Sequence, residues 1–111
     1  MSDDVPSTTV SALPPRLPGT LLDVREHDEW AAGHAPGAVH VPLAELPARL
    51  GKLDLGTPVH VVCRGGGRSA RATAWLLQNG VDAVSVDGGM SAWNEAGRPM
   101  VCEDGGPPRV K

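Results

Sequence analysis

The chain is 111 residues long and carries 13 acidic against 10 basic side chains, a net charge of −3. That length makes one domain, able to bury about 65% of the surface its unfolded chain exposes and so to hold a core without disulfide or metal staples. The acidic balance excludes a basic face for nucleic acid, and no apolar run reaches membrane-spanning length.

The start, Met1-Ser2-Asp3-Asp4, lacks the basic residues of a secretory signal, so the expected setting is the cytoplasm, where thiols stay reduced. Residues 1–7 are polar and predict a frayed end. Thr8-Thr9-Val10 predicts a short edge strand ahead of the Pro14-Pro15 and Pro18-Gly19 breaks. Leu21-Leu22-Asp23-Val24 is an apolar run interrupted by one carboxylate, which suits the end of a buried parallel strand. Arg25 to Ala32 predicts a short helix with Trp30 on its apolar side and Gly33 at its end. A Pro36-Gly37 turn and a strand over Ala38–Val41 follow. Leu46 and Leu50, four apart, then place a helix over Ala44–Leu50 with Pro47 near its first turn.

After Thr57-Pro58, the β-branched run Val59-His60-Val61-Val62 predicts a strand. Ser69 to Asn79, rich in alanine and leucine and stopped by Gly80, predicts a helix with Ala70, Thr73, Ala74 and Leu77 on one face. The next strand falls within Val81–Val86, and Gly88-Gly89 leads into a last helix over Met90–Ala96. Glycines and prolines from Gly97 onward make the remainder loop-like, with residues 102–111 a flexible tail. Strands alternating with short helices imply one α/β domain over residues 1–111, its core at about 8–101. The sheet is largely parallel and covered on both faces.

In such sheets ligands bind at the carboxyl ends of strands, and Cys63 stands at one. Three glycines in Cys63-Arg64-Gly65-Gly66-Gly67-Arg68-Ser69 let the backbone curl and turn N–H groups inward. A thiolate inside that ring feels the amides, a helix N-terminus and two arginines. All of these favour charge on sulfur and lower the thiol pKa. Cys102 is the other cysteine and reads as a thiol in a mobile tail. With no Cys-x-x-Cys and no paired histidine spacing, neither a metal nor any other cofactor is expected.

Four segments together resemble the rhodanese domain, the sulfurtransferase family: Leu22-Asp23-Val24-Arg25-Glu26, Gly33-His34-Ala35-Pro36-Gly37-Ala38, the Cys63 loop, and Gly88-Gly89 with Ala92-Trp93. The resemblance spans about residues 8–101 and implies a rhodanese-like α/β fold, a five-stranded sheet flanked by helices. Ala35 departs from the β-branched or larger apolar residue usual there, which concerns packing more than chemistry. It further implies that the Cys63 thiolate takes the outer sulfur of a small anionic donor such as thiosulfate. The resulting persulfide would pass to cyanide, a cellular thiol or an acceptor protein.

Backbone N–H groups of residues 64–68, across Gly65, Gly66 and Gly67, would stabilise the sulfur anion, with Arg64 and Arg68 meeting the donor's oxygens. Ser69 serves as a helix cap or a ligand to the sulfur, and Asp23 and Arg25 as supports for neighbouring loops. His34 reads as a hydrogen-bonded structural histidine, and Trp30, Trp75 and Trp93 as packing residues. Two rivals remain at this point. Cysteine phosphatases and arsenate reductases need five residues between Cys and Arg, whereas Cys63 and Arg68 enclose four. A non-catalytic rhodanese-like binding module commonly loses the cysteine that this chain keeps.

Overall fold

The computed structural model describes residues 5–111, so most of the expected frayed start lies outside the described residues. Five strands form a single sheet in the order β1-β5-β4-β2-β3: β1 (Ser7–Thr9), β2 (Thr20–Asp23), β3 (Val39–His40), β4 (Val59–Val62) and β5 (Ala83–Asp87). Every neighbouring pair is parallel. Four helices connect or flank them: α1 (His27–Ala32), α2 (Leu46–Arg49), α3 (Gly67–Gln78) and α4 (Gly89–Glu95). Among the described residues no helix is long and apolar enough to cross a membrane.

The period-2 alternation of the strands divides the core. Leu22, Val59, Val61 and Ala83 face one layer with Leu46, Ala72 and Leu76, while Leu21, Val62 and Val86 face the other with Val10, Leu13, Met90 and Trp93. A parallel sheet buried on both faces needs near-continuous apolar strands, which is what Val59–Val62 supplies. β4, paired on both edges, is the middle strand. Its register sets Asp23 beside Val62 and Ser85 beside Val61, so the carboxyl ends of three strands meet just below Cys63.

Several expectations change in detail. α1 begins at His27, two residues late, because Glu26 and Glu29 form a reciprocal capping box and Arg25 is drawn back toward Asp23. The helix expected over Ala44–Leu50 is broken into a single α turn between two tighter turns, Leu43–Glu45 and Leu50–Lys52. α3 starts two residues early, at Gly67, and buries Ser69, Ala72, Thr73 and Leu76. Leu77 lies off that face at 38% exposure, because alanines scattered around this helix leave its apolar side undefined in sequence.

The segment 102–111, expected to be loose, is instead laid against α1. The Glu103 and Arg109 amides donate to the Ala31 and Ala32 carbonyls at 3.3 and 3.0 Å, and Lys111 pairs with Asp28 at 2.6 Å. A short helix leaves its last carbonyls without partners, and this strap supplies them. Cys102 accordingly sits against α1, its thiol 3.3 Å from the Ala31 carbonyl.

Candidate active site

Cys63 leaves β4 directly into the glycine loop and is 1% exposed. The turn closes because Gly66 adopts φ +130°, a conformation that side chains rarely take, and so caps α3. Its amide thereby points inward and donates to Cys63 Sγ at 3.0 Å. Ser69, in the first turn of α3, places its hydroxyl 3.6 Å from the sulfur. Burial pushes the Cys63 thiol pKa up. The amide and hydroxyl of Ser69, with the amides of Gly66 and Gly65, outweigh it and hold the pKa below the ordinary 9.0. Gly67 and Arg68 begin the helix, so Ser69 takes a place among the amide donors that the sequence reading had given to residues 64–68.

That displacement sets a pH dependence. A folded-state pKa below the unfolded value means the unfolded chain holds the proton over the interval between them. Stability from this group is therefore present above the ordinary 9.0 and lost as pH falls through the folded value. Alkylation of Cys63 followed against pH is expected to show its midpoint below 9.0 in the native protein and to move up in denaturant. A native midpoint at or above the denatured one would contradict the arrangement of donors.

α4 holds the loop from the other side. The Met90 and Ser91 amides donate to the Cys63 and Arg64 carbonyls at 2.8 and 3.0 Å, which turns the loop's acceptors away from the sulfur. Only glycine permits this approach at position 89. Its φ is +52°, and a Cβ would stand 2.2 Å from the Cys63 carbonyl oxygen. Gly89→Ala is expected to cost about 1–3 kcal/mol from the backbone conformation alone and to push the loop outward. Thermal melts and Cys63 alkylation should both register it, and a variant with native values in both would remove α4 from the account of the loop.

The two arginines are placed very differently. Arg64 is exposed and enters no ion pair among the described residues. Arg68 reaches across to α1, where its two terminal nitrogens donate to Glu29 Oε1 and Oε2 at 2.7 and 2.9 Å. The hydrogen-bonded guanidinium holds the Glu29 carboxyl below its usual range, and Glu29 together with the nearby Cys63 charge raises Arg68. Glu29 escaped the sequence reading; its only signal is the i+3 spacing from Glu26 that forms the cap.

Asp23 and Arg25, both fully buried, lie behind the site. Asp23 accepts the Arg25 amide and Nε on one oxygen and Nε and Nη2 on the other, at 2.8–3.1 Å. Arg25 Nη2 also donates to the Gly33 carbonyl at 2.8 Å, tying β2 to the end of α1. Trp30 stacks between His34 and His40, with ring centroids 3.6 and 4.6 Å away, and its indole donates to Glu103. His34 bonds the Trp30 carbonyl through Nδ1 and bridges to Val101. Among the described residues no group of three or more His, Cys, Asp or Glu side chains is placed to hold a metal. A cavity of 340 Å³ lined by Gly19, Leu21, Trp93 and Arg98 opens at the amino end of β2, away from the thiol.

An ionisable thiol ringed by amides at the carboxyl end of a central parallel strand defines a class of anion-handling cysteine domains. Residues 9–96 match the rhodanese-like domain family, and the chain belongs to that family. It is 38% identical over 79 residues to the Bacillus subtilis protein named "Putative sulfurtransferase YtwF", covering 71% of this chain and 77% of that one. A rhodanese-related protein of Thermoplasma volcanium superposes with a TM-score of 0.74 at 32% identity, over 87% of this chain and 98% of its own. A rhodanese-like domain protein of Staphylococcus aureus gives 0.69 at 36%, over 80% and 91%. At the level of the family, the activity is sulfur transfer.

Proposed function

We propose that the protein moves sulfane sulfur from an anionic donor, thiosulfate foremost, through a Cys63 persulfide to a thiol or an acceptor protein. The Cys63 thiolate attacks the outer sulfur, the S–S bond of thiosulfate breaks, and sulfite leaves with the bonding pair. The enzyme is left as Cys63–S–S⁻. A thiolate or cyanide then attacks the terminal sulfur, carries it away and returns the Cys63 thiolate, so no external oxidant or reductant enters. A reducing compartment such as the cytoplasm suits a resting thiolate.

The observation that carries this reading is the 3.0 Å hydrogen bond from the Gly66 amide to Sγ in a loop of four residues between Cys63 and Arg68. Amides converging on sulfur favour the thiolate and, once it is loaded, the persulfide anion. Cys63, only 1% exposed, favours a donor that presents one projecting atom. A phosphoryl group needs an arginine fork around its oxygens, and here that fork is committed to Glu29. Arg64 is the guanidinium left to meet a sulfonate-like end of the donor.

The test is mass spectrometry of the protein after thiosulfate, followed by cyanide or a small thiol. One added sulfur atom on the peptide containing Cys63, removed by either acceptor, is the expected result. Cysteine-dependent hydrolysis of an aryl phosphate with no persulfide after thiosulfate would overturn it in favour of a phosphatase. No sulfur uptake and no hydrolysis would leave a binding module.

A further inference from the structure

We propose that Ser85 is a positioning residue for Cys63: from β5 it holds the Ser69 hydroxyl as a donor to the ionised sulfur. The proposal deepens the sulfur-transfer reading, since it takes Cys63 to be the working nucleophile. Ser85 is an isolated hydroxyl in the run Ala83-Val84-Ser85-Val86, at 1% exposure. An apolar side chain would pack there, and a buried hydroxyl is costly unless bonded. Strand register explains where it points. Ser85 is opposite Val61, and alternation puts Val61, Cys63 and Ser85 on the same face of the sheet, beneath the first turn of α3.

Ser69 Oγ stands among three groups: the Gly66 carbonyl and Ser85 Oγ, each at 2.9 Å, and Cys63 Sγ at 3.6 Å. A hydroxyl has one proton and two lone pairs, so these contacts admit few arrangements. With Cys63 as thiol, its S–H and the Ser85 O–H fill the two lone pairs while Ser69 donates to the Gly66 carbonyl. Ionisation withdraws the S–H donor, and the Ser69 proton turns to the sulfur anion, where a charge-assisted bond is the stronger one.

The Gly66 carbonyl keeps the Ala70 amide at 3.1 Å, so nothing is stranded by the turn. Ser85 donates throughout; its hydroxyl has no other partner among the described residues. Its donation occupies the lone pair of Ser69 that faces away from the sulfur and polarises the Ser69 O–H toward it. Ser85 thus acts on the thiolate through Ser69, without touching it.

The experiment follows iodoacetamide alkylation of Cys63 against pH, with no sulfur donor, in a Cys102→Ser background. Ser85→Ala is expected to move the midpoint to higher pH and slow alkylation at pH 7 by about three- to tenfold, the loss of one hydrogen bond. Ser69→Ala is expected to do at least as much, and the double variant no more than Ser69→Ala alone. Ser85→Thr and Ser85→Val, matched in shape, provide the control for packing. The threonine variant should keep the native profile and the valine variant should shift it, which also serves if the alanine variant is poorly folded.

A native profile in Ser85→Ala or Ser85→Val overturns the proposal, as does an equal shift with Ser69 already removed. Persulfide formation on the same wild-type protein is scored separately. Its absence would sink sulfur transfer without moving the alkylation result, and a native alkylation profile in Ser85→Ala would sink the role of Ser85 alone.

Discussion

Cys63→Ala is expected to abolish sulfur transfer to background while leaving the fold in place, whereas Cys102→Ser retains most of the activity. The loss is total if, as proposed, the sulfur is the covalent carrier: without it neither half-reaction has a nucleophile or a leaving thiolate. The structural cost is small by comparison. The substitution removes one buried atom and leaves the Gly66 amide without its acceptor at 3.0 Å, together about 1–3 kcal/mol. Circular dichroism and urea titration check the fold, and steady-state thiocyanate formation from thiosulfate and cyanide checks the activity. Residual turnover above a few per cent, or sulfur mapped to Cys102, would reassign the carrier.

The second large effect is on stability. Asp23→Ala is expected to destabilise the protein by about 3–5 kcal/mol, because it strands a guanidinium in the interior. Asp23 and Arg25 are both 0% exposed, and Arg25 Nη1 already lacks a hydrogen-bond partner among the described residues. A domain of this size has about 5–15 kcal/mol in hand, so the variant lies near the edge of folding. The double variant Asp23→Leu/Arg25→Met should recover most of the loss, since removing both charges leaves no ion to compensate. Urea midpoints decide the matter. A double variant no better than Asp23→Ala would show that the pair does more than neutralise itself.

The sequence made the architecture readable where local and global preferences agree. Val59–Val62 is β-branched at three of its four positions, ends at a glycine loop and sits between two turn signals, and it is β4, the centre of the sheet. The same agreement singled out Cys63, which the amides of Gly66, Gly65 and Ser69 surround. Asp23 and Arg25 were legible as supports for neighbouring loops; that they bond each other depends on how the chain turns after β2.

What stayed hidden depends on partners far apart in the chain. Arg68 reads in its loop as a guanidinium offered to the donor's oxygens, but its fork is filled by a glutamate 39 residues away. Ser85 shows only as a polar residue in an apolar strand until register brings it under Ser69. The strap over α1 is invisible for a similar reason: glycines and prolines around 105–108 signal turns but say nothing of which carbonyls the amides reach.

The strap sets an order for assembly. α1 has six residues, well short of the ~12–15 at which a helix persists alone, and part of its support comes from amides more than 70 positions downstream. β4, α3 and β5 are contiguous in sequence and close only short loops when they pair, so they can gather first. During refolding, pulsed amide labelling should therefore find the Val59–Asp87 segment protected before His27–Ala32. The cysteine is ringed early, in a unit of local contacts, and the brace between Glu29 and Arg68 arrives when the two distant ends of the chain meet.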